Sequence, residues 1–174
     1  MRDRLWLPAV IALGANLGDR ETTLRAAVAE IGAIDGVRSV HASGIVESHA
    51  VKLDGVDELA PDYLNAVVTV SCGLSPEQLL DELNRIEAEH GRVRVERWGD
   101  RTLDLDIVTF ALFTQHDERL TLPHPRAWER PFVIVPWLQV QPDAVLPGRG
   151  PIADLAAAHS DQVWGYAASP LVTA

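Results

Sequence analysis

The stretch Tyr63-Leu-Asn-Ala-Val-Val-Thr-Val-Ser-Cys-Gly-Leu-Ser-Pro-Glu-Gln-Leu-Leu-Asp-Glu-Leu-Asn-Arg-Ile86 changes its apolar period in mid-course. From Tyr63 to Cys72 the residues alternate: Leu64, Ala66, Val68 and Val70 share one face, while Tyr63 and Asn65 point to the other, as on a strand. Beyond Gly73 the period lengthens. Ser75 is a helix N-cap, Pro76 takes the first helical position, and Gln78 completes a capping box. Leu79, Leu80, Leu83 and Ile86 form the apolar stripe, and Gly91 closes the helix.

Working outward, Pro8 to Leu13 reads as a buried strand. Gly14 to Asp19 is turn chemistry with Asp19 as the next N-cap, and a helix carrying Leu24, Ala27, Val28 and Ile31 ends at Gly32. Val37 to Val46 reads as one strand. Ser48 to Asp62, polar, acidic and without period, reads as a loop ending near Pro61. Downstream, Arg92 to Thr102 is a charged loop and Leu103 to Phe110 a strand. Two proline-punctuated segments around Arg126 and Val135 and a small apolar helix near Ala156 follow. The order strand, helix, strand, strand, helix, strand predicts an α+β fold: a ferredoxin-like (βαββαβ) sandwich with helices on one face and a C-terminal helical and strand appendix over 149–174.

The chain has 174 residues, which suits a single domain spanning 1–174 with a core that needs no disulfide or metal staple. With 47% hydrophobic and 23% charged residues it is an ordinary globular composition, not a disordered one. No apolar run approaches the roughly 18–20 residues of a spanning helix, so no membrane is expected. Arg2 and Arg4 before the apolar run Leu5–Leu13 imitate a secretion signal, but the run is short and holds Pro8; a first strand is the better reading. The lone Cys72 cannot form an intramolecular disulfide; it reads as a small strand-end residue, and cysteine usage points to a reducing, cytoplasmic compartment.

Fifteen basic residues against 25 acidic ones give a net charge of −10, which argues against a nucleic-acid partner. Arg92, Arg94, Arg97 and Arg101 nevertheless crowd one window whose only acids are Glu96 and Asp100. A positive island on an acidic chain suits a small anion. Immediately after it, Asp104 and Asp106 stand two apart on a strand, hence on one face about 7 Å apart. Paired carboxylates repel unless a cation neutralises them, and hard oxygen ligands suit Mg²⁺ shared with substrate phosphates. The same spacing also fits the solvated face of an edge strand. Trp98 beside Gly99 offers an apolar plate on a bendable loop, and arginine forks match phosphate oxygens. Arginines and a metal site together are what phosphoryl transfer uses. Tyr63 and Asn65 suit a flat heteroaromatic ring, or else an exposed sheet face, and His124 in its proline turn suits a phosphate, a ribose or a structural role. The glycine turn at Gly14–Asp19 matches neither phosphate-binding glycine motif.

Seven segments, in order, resemble the 6-hydroxymethyl-7,8-dihydropterin pyrophosphokinase family of folate biosynthesis. They are Ala12-Leu-Gly-Ala-Asn-Leu-Gly-Asp19, Tyr63-Leu-Asn-Ala-Val67, Arg85-Ile-Glu87, Gly91-Arg-Val-Arg94, Arg97-Trp-Gly-Asp-Arg-Thr-Leu-Asp-Leu-Asp-Ile107, Leu122-Pro-His-Pro-Arg126, and Glu129-Arg130 with Phe132. The likeness covers about 8–148. It implies pyrophosphoryl transfer from ATP to the pterin hydroxymethyl oxygen, with AMP released and two Mg²⁺ held at Asp104 and Asp106. It implies pterin contacts at Ser48, Tyr63, Asn65 and Phe132. Arg92 and Arg101 match arginines that assist transfer, and Trp98 matches the lid tryptophan. Glu87, Arg94, Ile107, Arg119, Thr121, His124 and Arg130 fall at nucleotide-binding positions. The chain departs from the family in its 46–60 loop, where a Thr-Pro segment is usual and Ser48 is a loose match. Asp100 replaces a lid proline, and Ala15 replaces a serine. The expected partners are ATP and a reduced pterin, and the expected state is a monomer. A paralogue with another pyrophosphoryl acceptor, or a non-catalytic pterin- or nucleotide-binding module, are the alternatives.

Overall fold

The structure is a computed structural model that describes residues 4–52, 55–91 and 102–172. Its elements run β1 (Leu7–Ala15), α1 (Arg20–Ala33), β2 (Val37–Ala42), β3 (Val46–Ser48), β4 (Ala50–Lys52), β5 (Gly55–Asp57), β6 (Tyr63–Cys72), α2 (Pro76–Glu89), β7 (Asp104–Phe110), β8 (Gln115–His116), β9 (Thr121–Leu122), α3 (Pro131–Val140), β10 (Val145–Leu146), β11 (Gly150–Pro151), α4 (Ile152–Ala157) and β12 (Trp164–Gly165). It is a mixed α/β architecture around an antiparallel sheet. The main sheet runs β12-β3-β6-β1-β7, with β2 also paired to β6 beyond the end of β3.

The capping signals act as the sequence predicts. Thr22 N–H donates to the Asp19 side chain, and the Ser75–Gln78 capping box is complete. Leu24, Ala27, Val28 and Ile31 of α1 and Leu79, Leu83 and Ile86 of α2 bury against Ile11, Leu13, Leu64, Val68, Leu105 and Ile107. Cys72 is buried in the same core.

Three expectations are corrected. Helices cover both faces of the sheet, not one. Val10, Ala12, Val67 and Val108 face the other way and bury against Val133, Ile134 and Trp137 of α3, with Ile152 and Ala156 of α4 beneath. The segment around Val135 is therefore a ten-residue helix. Pro131 suits its first turn, whereas Pro136 sits inside it and, with four β-branched residues, disguises it in the sequence. Second, the strand expected over Val37–Val46 is broken. Ser39 takes a left-handed φ of 53°, the register against β6 slips between Arg38 and His41, and Ser43 bridges the gap by giving its N–H to Val67 C=O and accepting Val67 N–H on Oγ. Third, the 48–62 loop contains the β4–β5 hairpin, with Val51 opposite Val56.

Candidate active site

Sheet register brings the candidate residues together. Gly14 of β1 pairs with Asp104 on one side and with Asn65 on the other, while Ala12 pairs with Asp106. Paired residues share a face, so Asp104 and Asn65 look out from the same side, about 10 Å apart across two strand spacings. Gly14 keeps this row open: a Cβ there would lie 3.2 Å from Asn65 Oδ1 and 3.5 Å from the Tyr63 ring. A cavity of about 650 Å³ opens over this face. Asp104, Asp106, Tyr63, Asn65, Ser48, Arg130 and Phe132 line it.

At the acceptor end, Tyr63 is half-buried and Asn65 is buried, so this strand end is not an exposed sheet face. Asn65 Nδ2 donates to Ser48 Oγ at 2.9 Å, which fixes the amide. Phe132 enters from the first turn of α3.

At the carboxylate end, Arg130 Nη1 lies 3.5 Å from Asp106 Oδ2. His124 Nδ1 accepts the Arg126 N–H at 3.1 Å, so the proton of the neutral ring sits on Nε2, which faces Asp106 Oδ2 at 3.8 Å. Burial first, then the Arg130 charge, push the His124 pKa down to about 4. The ring is thus uncharged at neutral pH, and its approach to Asp106 is a polar contact, not an ion pair. Glu87, on the last turn of α2, is buried, and its carboxylate accepts Leu105 N–H at 2.7 Å. It ties the helix to the strand between the two aspartates.

Two half-exposed carboxylates on one strand face are a donor set for a hard divalent cation that completes its shell elsewhere. Among the described residues no three His, Cys, Asp or Glu side chains are grouped to hold a metal. Mg²⁺ accepts this arrangement, since it keeps waters and substrate phosphates beside one or two carboxylates.

Not every expected residue lies in the cavity wall. Ile107 is buried in the opposite core, which leaves only its main chain for a nucleotide. Arg119 and Thr121 lie on the β8–β9 hairpin outside the lining; Arg119 reaches Asp81 on α2, and Thr121 Oγ1 lies 3.4 Å from His116. Arg92, Arg94, Trp98 and Arg101 fall outside the described residues. Conversely, the cavity is also lined by residues to which the sequence reading gave no role: Arg126 and Glu129, which fall in the matched segments, and His49, Asp161, Gln162 and Trp164. His49 lies in a segment without period. Asp161 and Gln162 precede, and Trp164 opens, a two-residue strand that carries no pattern of its own.

Comparison with known proteins agrees with this geometry. A Haemophilus influenzae protein named 2-amino-4-hydroxy-6-hydroxymethyldihydropteridine pyrophosphokinase is 43% identical over 155 residues, covering 89% of this chain and 94% of its own. The Bacillus subtilis protein of the same name is 43% identical over 132 residues, 76% of this chain and 77% of its own. The crystal structure of wild-type Plasmodium falciparum HPPK-DHPS with SDX-DHP superimposes with a TM-score of 0.68 at 14% identity, covering 92% of this chain; the chain spans 46% of that longer one. At that identity the likeness concerns the fold. The family profile for 7,8-dihydro-6-hydroxymethylpterin-pyrophosphokinase (HPPK) matches residues 10–142. A profile over three quarters of the sequence and close relatives over nearly all of it make the chain a member of the HPPK family.

Proposed function

We infer that this chain transfers the β,γ-pyrophosphoryl group of ATP to the hydroxymethyl oxygen of 6-hydroxymethyl-7,8-dihydropterin, releasing AMP, as a step of folate synthesis. The observation that carries the reading is the sheet row Asp104–Gly14–Asn65, which sets a carboxylate pair and a ring-reading amide on one cavity floor. Family membership supports the same chemistry.

Asn65, held by Ser48, reads the edge of the pterin, and Tyr63 and Phe132 cover its faces. That orientation points the hydroxymethyl arm toward the carboxylates and converts an encounter into a near-attack pose. Asp104 and Asp106 hold two Mg²⁺, which supply charge neutralisation to the triphosphate when bound. Arg130 steadies Asp106 from the side, and Glu87 fixes the strand that carries both aspartates. His124, uncharged, presents Nε2–H as a neutral donor at the nucleotide end. Arg92, Arg94, Arg101 and Trp98 are assigned to phosphate handling and closure on their sequence match alone. Arg119, Thr121 and Ile107 complete the nucleotide assignment on the same footing.

The strand order β7-β1-β6-β2, with α1 and α2 as the crossovers, supports the ferredoxin-like reading of the fold. Two cores that share one sheet support a single domain over 1–174. A site built from one chain supports a monomer, and one buried thiol supports a reducing, cytoplasmic setting.

The test is AMP release from ATP and Mg²⁺, with and without 6-hydroxymethyl-7,8-dihydropterin. AMP formation that depends on the pterin is expected. Folded protein that releases none, while still binding ATP, would leave a binding module or another acceptor. Asp104→Ala and Asp106→Ala are expected to lower kcat at least 100-fold, an effect of the size seen when one electrostatic contributor to a transition state is removed. Full activity in either variant would defeat the metal assignment.

A further inference from the structure

His49 stands in the segment where the chain departs from its family, and the fold holds it on two sides. Its Nδ1 lies 2.8 Å from Asp62 Oδ1. A carboxylate only accepts, so in the neutral ring Nδ1 carries the proton and Nε2 is left as an acceptor. Among the described residues Nε2 has no hydrogen-bond partner. The other brace is Trp164, whose ring meets that of His49 edge-on at 4.9 Å between centroids. Trp164 is itself fixed: β12 pairs it with Glu47, its Nε1 donates to Glu47 Oε2 at 3.0 Å, and Arg20 holds the other oxygen of Glu47. The sheet register puts Trp164 in line with Glu47 and Leu64, not with Tyr63 and Asn65, so its ring backs the imidazole from the edge strand. His49 and Trp164 both line the cavity, and His49 follows Ser48, which orients Asn65.

We propose that His49 is a specificity-determining contact to the acceptor ring, with Nε2 accepting a ring N–H, and that Asp62 and Trp164 are positioning residues for it. The proposal rests on the pterin pyrophosphokinase reading above. A pterin offers N–H donors along its pyrimidine edge, and an acceptor fixed in the wall of the cavity that Asn65 also lines complements them. The C-terminal segment beyond the family profile, which ends at residue 142, thereby takes part in acceptor choice through β12.

Steady-state kinetics of the full chain test this. His49→Ala is expected to raise KM for the pterin about fivefold to tenfold, the net worth of one hydrogen bond, with KM for ATP and saturated kcat within twofold of wild type. Asp62→Ala is expected to raise the pterin KM in the wild-type background and to add nothing in the His49→Ala background. Trp164→Leu, which keeps an apolar residue on the edge strand, is expected to give a smaller rise of the same kind. An unchanged pterin KM in His49→Ala overturns the contact. A cost for Asp62→Ala that persists without His49 overturns the positioning role and assigns Asp62 to its neighbour Tyr63. Wild-type protein with no pterin-dependent AMP release defeats the function itself, a result separable from both.

Discussion

At the scale of single residues the site depends on small groups as much as on charged ones. Gly14 lies between Asp104 and Asn65, and its φ is ordinary, so only space demands a glycine. A methyl 3.2 Å from Asn65 Oδ1 is too close by a few tenths of an ångström. Gly14→Ala is expected to raise the pterin KM several-fold while leaving thermal stability nearly unchanged; a pterin KM equal to wild type would show that Asn65 yields at no cost. Ser48→Ala removes the oxygen that receives Asn65 Nδ2 in a buried place. The loss of about 1–3 kcal/mol expected for an unpaired buried donor is spread between stability and pterin affinity. Parallel pterin titration and thermal melts separate the two, and a variant unchanged in both would deny Ser48 its orienting role. These small residues were only partly legible. Asp104 and Asp106 announce themselves by period two, and Asn65 by being polar in an apolar strand. Nothing in the sequence states that Gly14 is opposite both, because register is a property of three strands at once.

At the scale of elements, the carboxylate strand is positioned by a helix. Glu87 sits on the last turn of α2, buried, and receives Leu105 N–H. Among the described residues β7 has a strand neighbour only at β1 in the main sheet, so this side-chain bond substitutes for a second ladder near the aspartates. Glu87→Ala leaves a buried N–H without its acceptor, a cost of about 1–3 kcal/mol, and should raise the Mg²⁺ concentration needed for half-maximal activity. Glu87→Gln keeps an acceptor oxygen and should restore most of that requirement. Equal Mg²⁺ dependence in Glu87→Ala and wild type would mean that β7 keeps its shape without the helix. The resemblance puts Glu87 at a nucleotide-binding position; the structure adds a backbone partner, Leu105 N–H, which the sequence could not disclose. Element boundaries followed the strength of local signals. α2 has a capping box, a proline and an amphipathic stripe, and it was legible to the residue. α3 has a proline at its sixth position and valines that suit strands. It was hidden until a sheet face needed covering. The β4–β5 hairpin was hidden for a different reason: three-residue strands are too short to establish a period.

At the scale of the whole molecule, the two faces of the sheet have different duties. The α1–α2 side is a core alone, with Ile31 fully buried in it. The α3–α4 side is a core that continues into the cavity, since α3 begins with the turn that carries Phe132 and follows directly on Arg130. Trp137, 2% exposed, packs α3 onto the sheet one to two turns from those residues. Trp137→Ala and Ile31→Ala should both destabilise, by about 3–5 and 2–5 kcal/mol respectively, because each opens a cavity in close-packed surroundings. For a chain of this length that corresponds to a loss of roughly 4–20 °C in Tm. Their effects on activity should differ. Below the melting range Ile31→Ala should retain wild-type KM values, whereas Trp137→Ala should weaken the pterin through the loosened start of α3. A Trp137→Ala variant with an unchanged pterin KM would show that Phe132 and Arg130 are held by the sheet and by Asp106 alone. If instead both variants lose pterin affinity in proportion to stability, the two faces act as one cooperative unit, and the cavity has no support of its own. The packing favours the first outcome: Ile31 reaches the cavity only through the full thickness of the sheet, and the β6 backbone between them is paired on both edges by β1 and by β2 or β3.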